Sequence, residues 1–252
     1  MSNSSLVSYT KISPNRTSPR NHKIDTVSIH CAAGQFTARN LLNLSRFVNY
    51  DSEGGASCNY AIGYDGSIGM GVEEKDRSWC TSSRSNDHRA ITIEVSSESK
   101  HPYKVTDEAY DALIELLVDI CKRNNIKELK WRADKSLIGK TSKQNMTVHR
   151  WFANKACPGD YLYERHGKIA AEVNKRLHPT PVSTNKQYRV RVDIDDLNIR
   201  KGPGTNYAKT GTFTGKGVFT IVAEAQGKGS THGWGKLKSG LGWISLDYAT
   251  KL

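Results

Sequence analysis

The chain has 252 residues, 37% of them hydrophobic, with 37 lysines and arginines against 25 acids and a formal charge of +12. That length suits one large core, or a domain of about 180 residues with a small companion, and its longest apolar run, around residues 116–120, is far short of the roughly 20 residues a membrane span needs. The charge divides evenly, +6 on residues 1–185 and +6 on the shorter stretch 186–252, which favours a polyanionic partner such as nucleic acid, an anionic cell envelope or a membrane surface.

Residues 1–23 hold Lys11, Arg16, Arg20 and Lys23, two prolines and no acid. They read as an extended basic arm, suited to contact with a membrane surface. No apolar segment of signal-peptide type opens the chain, so synthesis in a cytoplasm, with release by some other agent, is expected. Residues 24–30 alternate apolar and polar side chains and predict a strand ending at His30. Thr37 caps a predicted helix running to residue 50, and Asp65-Gly66 predicts a tight hairpin between two strands. Residues 90–96 predict a strand with Ile91, Ile93 and Val95 on one face and Glu94 on the other. Thr106 caps an amphipathic helix to about residue 124, with acids in its first turn and bases in its last.

The stretch 146–160, M-T-V-H-R-W-F-A-N-K-A-C-P-G-D, predicts a short strand from which His149 emerges, then a Pro-Gly turn directly after Cys157, with Lys155 alongside. Imidazole and thiolate both suit Zn²⁺, but a catalytic zinc site uses three protein ligands and keeps one position open. Alone, His149 and Cys157 read as a strand cap and a small buried residue. His30, at the end of another predicted strand, is the candidate third ligand. A helix over residues 161–177, capped by Asp160, closes this part. Residues 178–187 read as a linker, and the Gly-rich short strands of 188–252 predict a small all-β barrel. The five cysteines are too few and too scattered for a disulfide scaffold.

Four motifs then carry a resemblance. V-S-I-H ending at His30, S-C-N-Y-A-I-G-Y-D-G over 57–66, A-I-T-I-E-V over 90–95 and H-R-W-F-A-N-K-A-C-P-G-D over 149–160 occur in this order. Across residues 23–177 the chain resembles the zinc N-acetylmuramoyl-L-alanine amidases, the fold shared with peptidoglycan recognition proteins. The resemblance implies an α/β domain over residues 24–177, with a mixed central sheet flanked by helices. It implies Zn²⁺ held by His30, His149 and Cys157, with Glu94 as catalytic acid and base and Lys155 facing the oxyanion. One branch of the family uses a tyrosine instead of the glutamate. Alignment on Asp65-Gly66 puts Cys58 at that position, which leaves Tyr60 as a substrate or packing residue. Trp79, His88 and Arg89 precede the Glu94 strand and are candidate cleft residues, while Cys31, Cys80 and Cys121 read as structural.

L-N-I-R-K-G-P-G-T-N-Y over 197–207, with G-W-G-K-L and G-W-I-S-L-D-Y after it, resembles the bacterial SH3-like domain and implies a cell-wall ligand. Tyr207, Trp234, Trp243 and Tyr248 are its candidate groove residues. The combined resemblance implies a peptidoglycan hydrolase of phage or prophage endolysin type, cutting between N-acetylmuramic acid and L-alanine. A host autolysin of the same chemistry and a non-catalytic peptidoglycan-binding protein are the alternatives. Its partners would be peptidoglycan and anionic teichoic acids. No groove-reading motif supports nucleic acid.

Overall fold

In chain order the N-terminal unit holds β1 (Tyr9–Thr10), β2 (Arg16–Thr17), β3 (Thr26–Cys31), α1 (Ala38–Leu42), α2 (Ser45–Val48), β4 (Tyr60–Ile62), β5 (Ile68–Met70), β6 (Arg77–Ser78), α3 (Arg84–Arg89), β7 (Ala90–Val95), α4 (Asp107–Arg123), β8 (Met146–Thr147) and α5 (Gly159–Leu177). This computed structural model describes residues 2–178 and 187–252. They divide into two units, Met1–Pro179 and Thr180–Leu252. The expected linker lies almost wholly outside the described residues.

Six strands of the first unit form one sheet in the order β1-β5-β4-β7-β3-β8. The β4–β5 pair is antiparallel, with Ile62 opposite Ile68 across the Asp65-Gly66 turn, and the other pairs are parallel. The sheet is thus mixed, as expected. Its centre, β3 and β7, is covered on both faces, which is why both strands are rich in β-branched residues.

One face packs against α4 and α5 in the main core, where Ile29, Ile91 and Ile93 meet Leu113, Leu116, Leu117 and Ile120. Those four α4 side chains are fully buried and contribute on the order of 6–12 kcal/mol before chain entropy is subtracted. The other face carries the alternate residues Ser28, His30, Thr92 and Glu94. It meets a smaller cluster of Leu41, Leu42, Phe47, Cys58, Ala61 and Cys80.

Local expectations met the structure unevenly. Thr37 and Thr106 cap their helices, accepting from the backbone N–H of Asn40 and Ala109. The helix expected over 37–50 is instead two short ones, broken where Leu44 takes an extended conformation. The strand expected to reach His149 stops at Thr147, and His149 opens a 3₁₀ turn, His149–Trp151. The closing helix starts at Gly159 without a side-chain cap, and Asp160 instead bonds His101 and Arg150. Gly159 is required there: its φ is +77°, and a Cβ would lie 2.6 Å from the Tyr103 Cβ.

The basic arm lies across this unit. β1 extends the main sheet and β2 pairs with β6. Arg20, one of the cations of the arm, is buried and donates to the carbonyls of Glu74, Asp76, Asp87, His88 and Ala90. Arg16 pairs with Asp76. Half of the arm's cations therefore serve the fold and are not free to attract a membrane surface.

The C-terminal unit is all-β: β9 (Tyr188–Val192), β10 (Asn198–Arg200), β11 (Lys209–Phe213), β12 (Gly217–Ala225), β13 (Trp234–Leu237), β14 (Trp243–Ser245) and β15 (Thr250–Lys251). The strands join in the order β11-β10-β14-β13-β12-β9-β15, every pair antiparallel. Val190, Val192, Ile199, Ile221 and Ile244 form its core.

Candidate active site

The site sits where β3 and β7 end. Parallel register places His30 directly opposite Glu94, and both point to the face away from α4 and α5. His30 is fully buried. Its Nδ1 lies 3.3 Å from Cys157 Sγ and 4.0 Å from Glu94 Oε1. The ring's other nitrogen, Nε2, lies 3.2 Å from Ser28 Oγ, and that hydroxyl donates to the Thr147 carbonyl. With its only hydrogen spent, Ser28 accepts from Nε2–H, so the Nδ1 lone pair is free to bind a cation. Burial, with His149 and His166 nearby, pushes the His30 pKa down to about 3, so the imidazole is neutral.

His149 lies with its ring centroid 5.3 Å from that of His30. Ser82 Oγ holds its Nε2 at 3.0 Å. Burial and the nearby Lys155 charge lower its pKa. Arg150 closes the loop that brings His149 to Cys157: its backbone N–H donates to the Cys157 carbonyl, and its guanidinium bonds the Ala156 carbonyl and Asp160. One ligating atom each from His30, His149 and Cys157 lie within 4.8 Å of one another. Two neutral imidazoles and a thiol make a donor set that fits Zn²⁺. Burial, with the Cys31 thiol in contact, raises the Cys157 pKa well above the usual range. A bound cation acts in the opposite sense.

Beside this cluster, Glu94 is held in a poor environment for a charge. Its Oε1 has the Cys80 thiol at 3.9 Å and the neutral His30 ring at 4.0 Å, and its buried Oε2 meets no donor among the described residues. Burial pushes its pKa up to about 7, against a smaller opposing effect of Arg46. The site thus joins a candidate metal triad to a carboxyl group that can be either protonated or ionised near neutrality.

The sequence pattern of the N-acetylmuramoyl-L-alanine amidases matches residues 20–160, more than half of the chain. The chain belongs to this family. No curated protein matches it. Among 26 matching chains of solved structures are AmpD, as a selenomethionine derivative, PlyL, and the amidase LysC from Clostridium intestinale URNW. AmpD is 17% identical with a TM-score of 0.49, the match covering 68% of this chain and 99% of that one. PlyL is 16% identical with a TM-score of 0.46, covering 69% and 96%. LysC is 17% identical with a TM-score of 0.45, covering 66% and 96%. The family rests on the sequence match over residues 20–160.

Within this amidase unit His30, Glu94, His149 and Cys157 come together, with exposed Lys155 close enough to act on His149. The other candidate residues stand as follows. Tyr60 is fully buried and donates to Glu74 Oε1 at 2.6 Å, so it is a packing residue and cannot touch a substrate. Arg89 precedes β7 at the strand end opposite Glu94, where it makes a two-point pair with Asp25. His88 accepts from the Asn21 backbone N–H and is buried. Trp79 stays near the site through its neighbour Cys80, but its indole N–H donates to Thr17 Oγ1 and its ring faces Tyr50. In the C-terminal unit, Tyr207 and Tyr248 are exposed and Trp243 is half-buried. Trp234 is only 3% exposed, so it is a core residue and not a groove surface.

Sequence reasoning missed the residues that aim the others. Asp87, buried in α3, accepts from the N–H groups of Cys80 and Thr81 and from the Thr81 hydroxyl. It folds the 80–83 turn so that Cys80 reaches Glu94 and Ser82, at φ +60°, reaches His149. Cys80, read as structural, lies beside the carboxylate. Asp87 stands seven residues beyond Cys80 in the sequence, and nothing in the local pattern marks it as a site residue.

Proposed function

We propose that the N-terminal unit is a zinc-dependent peptidoglycan hydrolase that cuts the amide between N-acetylmuramic acid and L-alanine. The observation that carries this reading is the convergence of His30, His149, Cys157 and Glu94 at one strand end, inside the stretch that matches the amidase family. Zinc held by the two histidines and Cys157 would supply a Lewis acid for the scissile carbonyl and acidify water to a pKa near ~7.

The chain's own groups do the rest. Glu94 as carboxylate accepts the proton of the attacking water, and as carboxylic acid returns it to the departing alanine nitrogen. A pKa of about 7 suits both half-reactions. Ser28 and Ser82 hold the two imidazoles in orientation. Lys155, exposed at the rim, places a positive charge where the carbonyl oxygen gains negative charge. Trp79 and Tyr50 offer aromatic surface for the substrate beside this cleft.

In this reading the C-terminal unit is an SH3-like barrel that binds the wall through Tyr207, Tyr248 and the edge of Trp243, and so raises the local concentration of substrate. The whole then acts as an endolysin. Mass spectrometry of digested cell wall tests the chemistry. A free L-alanine amine with zinc at one equivalent is expected, whereas new reducing sugar ends or full activity of the metal-free protein would sink it.

A further inference from the structure

Cys80 takes part in none of the steps above, yet it is built into the site. Its Sγ lies 3.9 Å from Glu94 Oε1, that oxygen lies 4.0 Å from His30 Nδ1, and one ligating atom from each of the three falls within 4.8 Å of the others. The other oxygen of the same carboxylate, Oε2, is buried and without a donor among the described residues, so the group has unused ligand capacity. Cys80 is also held rigidly, because its backbone N–H donates to buried Asp87 Oδ2 at 3.1 Å. A preorganised thiol, imidazole and carboxylate on three separate segments form a donor set of the kind that binds a divalent cation.

We propose that His30, Cys80 and Glu94 form a second, inner cation position that accepts a thiophilic divalent ion such as cadmium. Occupancy is exclusive with that of the His30–His149–Cys157 position, because both draw on Nδ1 of His30 while Ser28 holds Nε2. On binding, the Cys80 thiol releases its proton to solvent, an exchange that thiophilic ions drive and magnesium or calcium do not. The outer position leaves Glu94 free. The inner one makes Glu94 a ligand, so its carboxylate can no longer accept a proton. That inhibitory consequence rests on Glu94 as the base of the amidase reaction; the cation position itself does not.

Cadmium titration of the metal-free, full-length protein, followed by the ultraviolet thiolate-to-cadmium charge-transfer band, tests the site directly. Cys157→Ala, which lacks the outer thiolate, should still develop the band. Adding Cys80→Ala to it should abolish the band, and adding Glu94→Gln should weaken cadmium binding roughly tenfold or more. No band in Cys157→Ala, or a band that survives in the double variant, overturns the proposal.

A second measurement keeps the outer ligands intact. With the zinc-loaded protein, excess cadmium should lower the wall-hydrolysis rate roughly tenfold or more in the wild type and far less in Cys80→Ala, each against its own cadmium-free rate. Equal inhibition of the two overturns the inner position. Cadmium binding through Cys80 in a protein that hydrolyses no wall would instead sink the amidase reading and leave the position standing.

Discussion

Two glutamates in one unit, Glu74 fully buried and Glu94 largely so, are treated in opposite ways. Glu74 is fully buried and fully partnered: its Oε1 accepts from Tyr60 and Arg123, and its Oε2 accepts from Asn124. Glu94 has one weak thiol contact and an unpartnered oxygen. The first carboxylate ties the loop after β5 to the end of α4 and to the arm, through the Ser4 N–H on Tyr60 Oη and the Asn3 contact with the Glu74 backbone. The second is left ready to change its protonation state. A satisfied buried charge is part of the scaffold, and an unsatisfied one is available for chemistry.

Substitutions should separate the two along that line. Glu94→Gln should lower wall hydrolysis by roughly 10²–10⁴-fold while folding and zinc content are retained; an active Glu94→Gln protein would end the contrast. Glu74→Ala leaves the Arg123 guanidinium partly buried with Asp119 as its remaining acid, and should cost roughly 3–5 kcal/mol in chemical denaturation with activity per folded molecule unchanged.

The pH dependence of stability offers a finer distinction. Glu94 in the folded, metal-free protein titrates near 7 because of burial, whereas an unfolded glutamate ionises near ~4.3. Between those values the unfolded state binds fewer protons. The stability contributed by neutral Glu94 is therefore complete below about 4 and is lost as pH rises through about 7. In the metal-free protein, Glu94→Gln should match the wild type at low pH and gain on the order of 1–3 kcal/mol over it above neutrality. Parallel stability curves would show that Glu94 is better solvated than its surroundings imply. The smallest effect is expected of Tyr60→Phe, about 1–2 kcal/mol in melting or denaturant assays for the lost hydroxyl contact to Glu74, with no change in KM. A raised KM would return Tyr60 to the cleft.

Much of this contrast was beyond local pattern. Alternation along β7 shows that Glu94 differs from its apolar neighbours, and the β3 and β7 motifs place His30 and Glu94 on strands. Tyr60 and Glu94 both stand in strands of the central sheet, and only the packing of its two faces tells that Tyr60 enters the main core while Glu94 faces the opposite side. Arg20 reads as one more cation of a basic arm. Its burial depends on five carbonyls contributed by residues 74–90, which no window around residue 20 contains.

The sequence by itself determined the two-part organisation, the strands and helices whose periodicity is strong, the capping residues Thr37 and Thr106, and the three candidate ligands. These are properties of short stretches, set by side-chain period and backbone preference. Tertiary structure alone decided which groups meet: His30 against Glu94 by parallel register, His149 toward Cys157 by the Arg150 clamp, and Cys80 and Ser82 against the site by the carboxylate of Asp87. Those relations depend on contacts between segments distant in the chain, where burial and hydrogen-bond satisfaction are settled only once the segments pack.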